Sequence, residues 1–201
     1  MKDSRQNPPR TNPFSTRFVR PGAIDYLFPA GQSAEGLVSR LAAMGWRGQV
    51  IGPHGSGKST LLAALAEPLA RRGRPVWSVC LRDGARRMPA DWIASATAHD
   101  ARLIVVDGYE QLGAWSRFVV NRSCRRRGWG LLVTAHQDAG FPTLFATSSS
   151  RQTAQAVVSK LVGDDNARIT PEMVDECFAS SGGDVRETLF RLYDRWQAAG
   201  G

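Results

Sequence analysis

The chain has 201 residues, 42% of them hydrophobic, and 26 Lys and Arg against 18 Asp and Glu give a formal net charge of +8. That length suits one domain with a small appended subdomain, and no apolar run approaches the ~20 residues of a membrane span. The three cysteines, Cys80, Cys124 and Cys177, are far apart and form no CxxC or His/Cys spacing, which argues against zinc and predicts a reducing, cytoplasmic setting.

Residues 1–20, with Pro8, Pro9 and Pro13, read as a flexible basic arm. They lack the ~7–15-residue apolar segment of a secretory signal. A core domain is predicted over 21–150. Its first helix lies within Gln32–Met44, where Leu37, Val38, Leu41 and Met44 recur at helical spacing. Gln49–Ile51 is a short strand that runs into a glycine-rich loop. Ser59–Arg72 is a helix with Leu61, Leu62, Leu65 and Leu69 on one face, closed by Gly73. Pro75–Leu81 is a second strand and Pro89–Ala98 a helix. Arg102–Asp107 is a third strand, whose continuous apolar run suits burial on both faces. Glu110–Arg126 is a helix, Gly130–Ala135 a fourth strand and Pro142–Thr147 a fifth. This β/α alternation predicts an α/β fold with a parallel, doubly wound sheet.

The last part changes character. Gln152–Leu161, Pro171–Ser180 and Asp184–Gln197 read as helices with no strand between them. Pro171 stands at a helix start after Thr170, and Asp184 is an N-cap after the Ser181-Gly182-Gly183 break. Residues 151–201 are therefore expected to form a small helical lid. No internal repeat is evident.

The pattern G-x-x-x-x-G-K-[ST] is met by Gly52, Pro53, His54, Gly55, Ser56, Gly57, Lys58 and Ser59, with Thr60 next in the helix. Glycines let successive backbone N–H groups wrap a phosphate without Cβ clashes. Lys58 supplies a point charge for the β and γ phosphates and Ser59 a hydroxyl for magnesium. The helix that starts there turns its positive dipole end toward the anion. A strand before and a periodic helix after give the match its expected context. The predicted ligand is a nucleoside triphosphate with magnesium. A guanine-reading Asn/Thr-Lys-x-Asp motif is absent, which favours ATP. His54 is either a substrate contact or a plain loop residue.

Asp107 ends the third strand at the sheet's carboxyl edge, where a carboxylate can hold magnesium through water. Gly108 follows it, and Glu110 is the next acid. Glu110 either activates water or simply opens the following helix, where an acid suits the dipole. Thr134 and His136, at the end of the fourth strand and on one side of it, both qualify to contact the γ-phosphate or orient water. Arg186, in the first turn of the last helix, either leans over the nucleotide or pairs with Glu187 or Asp184. Arg71, Arg72, Arg74, Arg82, Arg86 and Arg87 form one basic cluster and Arg122, Arg125, Arg126 and Arg127 another, whereas the chain from Asp164 onward is acidic. The clusters are either a solvated surface or a contact for nucleic acid or another anionic partner.

Together these parts resemble the additional-strand P-loop ATPases and, within them, the AAA+ class, over about residues 24–198. Gly52–Ser59 matches the Walker A motif, Arg102–Asp107 Walker B, Thr134 or His136 sensor 1 and Arg186 sensor 2. The resemblance implies a P-loop NTPase three-layer sandwich, a sheet order of 5-1-4-3-2 and a C-terminal helical lid. It implies catalytic roles for Lys58, Asp107, Glu110, Thr134, His136 and Arg186, and magnesium on Ser59 and Asp107. Two departures stand out. The class usually carries glutamate after the Walker B aspartate, where this chain has Gly108. An arginine finger is expected before the fifth strand, yet residues 136–142 hold no arginine and scarcely room for a helix. The Ser-Gly-Gly fragment lies far after Walker B, which rejects an ABC-type reading.

The function these features predict is ATP binding with slow or partner-stimulated hydrolysis. Loss of a water-activating glutamate costs ~10²–10⁴-fold. A nucleic-acid loader or regulator is the first alternative, motivated by the arginines. A phosphotransferase acting on a small acceptor is the second, with no acceptor motif to support it.

Overall fold

The computed structural model describes residues 12–82, 84–163 and 168–199. Most of the expected arm, 1–11, and residues 164–167 at the start of the acidic segment lie outside the described residues. The elements in chain order are α1 (Thr16–Val19), α2 (Ala34–Ala43), β1 (Arg47–Ile51), α3 (Lys58–Arg71), β2 (Val76–Cys80), α4 (Trp92–Ala98), β3 (Leu103–Asp107), a 3₁₀ turn (Tyr109–Gln111), α5 (Ala114–Arg127), β4 (Gly130–Ala135), β5 (Thr143–Ala146), α6 (Arg151–Val162), α7 (Pro171–Ser180) and α8 (Val185–Ala199).

Five strands form one parallel sheet in the order β2-β3-β4-β1-β5. This is the expected 5-1-4-3-2 order. The alternation of strand side chains explains the layers. Leu103 and Val105 of β3 and Leu132 of β4 join the leucines of α2 and α3 in one core. Ile104 and Val106, with Leu131 and Val133, face the opposite way and pack with Trp92 and Ala96 of α4 and Val120 and Cys124 of α5. Both faces of the sheet are covered, as parallel sheets require.

The chain divides into two compact units. Asp25–Ser148 holds the sheet and its covering helices. The second unit joins α6, α7 and α8 to the N-terminal segment through Ile24. Composition predicts a loose arm as far as residue 20 and a separate domain from 21, and the structure differs over 12–20. Phe14 is 1% exposed, set edge-on to Trp196 of α8, and the Asn12 side-chain amide donates to the Tyr193 carbonyl (3.0 Å). An aromatic and an amide with partners this specific outweigh the polar, proline-rich composition around them.

Local signals set the helix starts. The Ser33, Ser150 and Thr170 hydroxyls accept the N–H groups of Gly36, Thr153 and Met173, each satisfying an otherwise orphaned donor. Asp184 does the same for Glu187 ahead of α8. One predicted helix is divided: Glu110–Arg126 becomes the 3₁₀ turn Tyr109–Gln111 and then α5 from Ala114. No helix among the described residues is long and apolar enough to cross a membrane.

Candidate nucleotide site

Parallel strands bring their carboxyl ends to one edge, and ligands of open α/β sheets bind outside that edge. Here β1 runs into the loop Gly52–Gly57, β3 ends on Asp107 and β4 ends just before His136. β4 lies between β1 and β3, and Val50 is opposite Thr134.

The loop's shape depends on glycine. Gly52 takes φ +155°, and a Cβ there would collide with the Thr147 side chain and carbonyl and lie 3.0 Å from Ser56 Oγ. Gly57, at φ +87°, turns the chain into α3. Ser56 Oγ donates to the Pro53 carbonyl (2.8 Å) and meets Thr147 Oγ1 at 2.6 Å, tying the loop to the end of β5. Lys58 Nζ donates to the Gly52 and Pro53 carbonyls, both at 2.7 Å. The loop is thus a closed turn of backbone with the ammonium on its rim and the α3 N-terminus at its exit. Thr60 follows in the first turn of α3.

Asp107 is the organising carboxylate. Ser59 Oγ donates to Oδ2 (2.6 Å) and Thr134 Oγ1 donates to Oδ1 (2.5 Å). Thr134 is fully buried and accepts the Gly108 N–H (2.9 Å). The Cys80 thiol, opposite Asp107 in the sheet, lies 3.6 Å from Oδ2. One carboxylate beside one hydroxyl is the sparse oxygen set with which magnesium is held when substrate phosphates and water complete its shell. The donor set of Ser59 and Asp107 therefore fits that ion.

Gly108 fills the position where the resemblance calls for glutamate. Its φ of +86° is left-handed, and a Cβ would stand 2.7 Å from the Leu81 carbonyl oxygen. Glutamate does not fit this backbone. The acid falls two residues on, in the 3₁₀ turn, where Glu110 Oε1 meets His136 Nδ1 at 3.1 Å. Glu110 Oε2 is buried with no protein partner among the described residues. The turn is braced from α5, where the Arg117 guanidinium donates to the Glu110 and Leu112 carbonyls (2.8 and 2.9 Å).

His136 also lies against His54 of the loop, with ring centroids 3.7 Å apart. Burial first, then the Lys58 ammonium, lower its pKa, with Glu110 pulling the other way. The imidazole is accordingly neutral near pH 7, so its 3.1 Å approach to Glu110 is a contact between a neutral ring and a carboxylate rather than an ion pair.

Thr134 and His136 thus divide, one onto Asp107 and the other onto Glu110 and His54. Arg186 belongs to the other unit, where its guanidinium lies 5.6 Å from the Phe190 ring centroid. Neither of the ion pairs open to it forms among the described residues: Asp184 caps α8 and Glu187 meets Arg191 at 3.6 Å. Sequence reasoning missed Thr147, which is distant in the chain and reaches the loop only through β5. It also missed Gln49, whose buried amide bonds Asp138 (2.8 Å) and the Ala139 N–H (2.8 Å) to hold the β4–β5 connection. A glutamine directly ahead of Val50 and Ile51 in the strand was the available signal.

No protein-family model and no curated protein matches the sequence. Solved structures do match. Replication initiator DnaA bound to AMPPCP and single-stranded DNA aligns with TM-score 0.54 and 16% identity over 82% of this chain and 61% of that one. AMPPCP-bound DnaA from Aquifex aeolicus gives 0.56 and 15% over 85% and 64%. The S. cerevisiae Hsp104–ADP complex gives 0.57 and 12% over 89% and 32%. The chain thus spans less than two thirds of each of those chains. At such identities the likeness shows the fold alone, the parallel five-stranded α/β sheet of a P-loop nucleoside-triphosphatase fold.

Proposed function

We propose that this chain binds ATP with magnesium and hydrolyses it slowly, or at a higher rate with a partner. The observation that carries the reading is the Ser59–Asp107–Thr134 hydrogen-bonded chain set directly beside the Lys58 loop. The AMPPCP held by two of the fold neighbours supports a nucleotide as the ligand.

The glycine loop and the start of α3 bind the phosphates, with Lys58 exchanging its loop carbonyls for phosphate oxygens. Ser59 and Asp107 hold magnesium, which supplies charge neutralisation across the phosphate oxygens. Thr134 fixes the Asp107 carboxylate. Glu110 takes the place of the missing neighbour of Asp107. Its Oε2, buried and without a protein partner among the described residues, accepts the proton of the attacking water, while His136 orients the carboxylate through Oε1. Carboxylate and acid-base partner come from two segments rather than from one strand end, which favours slow basal turnover.

Steady-state turnover and nucleotide titration test this. Lys58→Ala is expected to abolish ATP binding. Glu110→Gln is expected to keep binding and lower turnover ~10²–10⁴-fold. Undiminished turnover in Glu110→Gln would remove Glu110 from the mechanism, and undiminished binding in Lys58→Ala would sink the nucleotide reading. Nucleic acid as a partner is a second reading, favoured by the arginines of α5 and by the single-stranded DNA held by one neighbour.

A further inference from the structure

The two arginine clusters differ in what surrounds them. In the first, Arg71 pairs with Glu35 (2.7 Å) and Glu67 (2.5 Å), Arg72 donates to Ser39 and Arg74 lies over the Trp46 ring. These three of the cluster's six arginines have partners within the fold, whereas Arg86 and Arg87 are exposed and form no ion pair among the described residues. On α5, Arg122, Arg125 and Arg126 are exposed, and no acidic side chain among the described residues pairs with any of them. At 100° per residue they share one helix face with Trp115 and Phe118. The opposite face carries Val120 and Cys124 into the core and Arg117 onto the Glu110 turn.

Trp115 is 75% and Phe118 54% exposed, the largest exposures of any bulky apolar side chain among the described residues. Their rings lie against each other, centroids 5.6 Å apart and planes tilted by 31°. Two solvent-facing aromatic rings on a helix cost free energy unless a partner covers them. A partner that also answers three arginines without acidic neighbours must be anionic, and the chain's net charge of +8 draws one in.

We propose that the outer face of α5 binds single-stranded nucleic acid, with bases stacking on Trp115 and Phe118 and phosphates meeting Arg122, Arg125 and Arg126. This deepens the nucleic-acid reading and is independent of ATP hydrolysis. A single strand fits because its bases are free to leave their own stack and lie on flat rings, whereas a duplex keeps its base faces stacked and presents phosphates and base edges. Stacking on a π-face is tolerant of sequence, so the surface binds without base preference, and its affinity falls with salt.

Fluorescence anisotropy with a labelled oligodeoxythymidylate of about 20 nucleotides tests this, with oligouridylate and a DNA duplex as parallel arms. The full-length protein is used throughout. Trp115→Ala and Phe118→Ala are each expected to weaken single-strand binding about 5- to 150-fold. Both residues are exposed, so circular dichroism should show unchanged folding. Arg122→Ala combined with Arg126→Ala is expected to weaken binding and to lower the slope of log affinity against log salt by about 1.4, about 0.7 for each single-strand phosphate no longer neutralised. Arg71→Ala is the control and should change little. Oligonucleotide binding that survives the α5 substitutions and fails in the Arg71 control overturns the α5 surface while leaving the nucleic-acid reading standing. No binding of any strand at low salt overturns both. Equal affinity for duplex with no effect of Trp115→Ala rules out base stacking. A concentration-dependent dimer abolished by Trp115→Ala, with oligonucleotide affinity intact, makes the face a protein interface and rejects the proposal.

Discussion

At the scale of single residues, Gly108 explains why this site departs from the pattern its sequence resembles. The Gly108 N–H is committed to Thr134, its φ is left-handed, and the Leu81 carbonyl occupies the space a Cβ would need. Installing the expected glutamate therefore does not restore a missing part. Gly108→Glu is expected to cost about 1–3 kcal/mol for the left-handed backbone alone, to lower the melting temperature and to leave turnover no higher than the parent. A variant that melts normally and turns over faster would show that the strand end accommodates an acid. His136 makes a second prediction. With its pKa lowered by burial and by Lys58, the imidazole is neutral above the ordinary value of about 6.5 and charges only at lower pH. The unfolded chain binds the proton first, so this residue's contribution to stability is present above about pH 6.5 and is lost as pH falls through its folded value. Activity that needs the neutral ring falls on the same acid limb. In an NMR titration, Lys58→Ala should move the His136 midpoint up and Glu110→Gln should move it further down. Shifts of opposite sign would mean that those charges do not act on the ring.

At the scale of elements, legibility followed how local each signal is. The glycine loop, its strand and its helix were readable because spacing and chemistry coincide within a dozen residues. Helix starts at Thr170 and Asp184 follow from caps that need only three residues of chain. The buried strands β3 and β4 were readable from unbroken apolar runs, and the sheet order from the resemblance rather than from any residue. What escaped depends on partners distant in sequence. Thr147 reaches Ser56 across 91 positions, and Asn12 reaches Tyr193 across 181. The split of Glu110–Arg126 was also hidden, although Gly113 lies within it. Leu112 is buried and helical periodicity runs through the break, while the decisive bonds come from Arg117 turning back on its own helix start. That turn is what places Glu110 at His136, so the least legible element carries the acid whose role the sequence left open. Arg71 and the α5 arginines looked alike as sequence and diverge only once Glu35 is seen beside Arg71.

At the scale of the whole molecule, the second compact unit is assembled from both ends of the described chain, and its stability has to be argued separately from that of the sheet. The sheet unit buries two cores, one on each face. The helical unit is smaller, and small cores are marginal. It closes on Leu189, Leu192 and Trp196 of α8 with Phe14 laid against the last of these. The amide of Asn12 holds the segment twice, donating to Tyr193 and accepting the Phe14 N–H at 2.9 Å. A loose arm would make Phe14 dispensable. A structural segment makes it as costly to remove as any core aromatic, about 3–5 kcal/mol for Phe→Ala. That is comparable to the whole margin of a small unit, so the loss should be local rather than global. Hydrogen exchange distinguishes the two cases. Phe14→Ala is expected to remove amide protection from α8 while β3 and β4 keep theirs, because those strands are buried against α2–α5 and against neighbouring strands. Unchanged protection in α8 would return residues 12–20 to the status of an arm. Protection lost equally in β3 and β4 would show that the two units unfold as one.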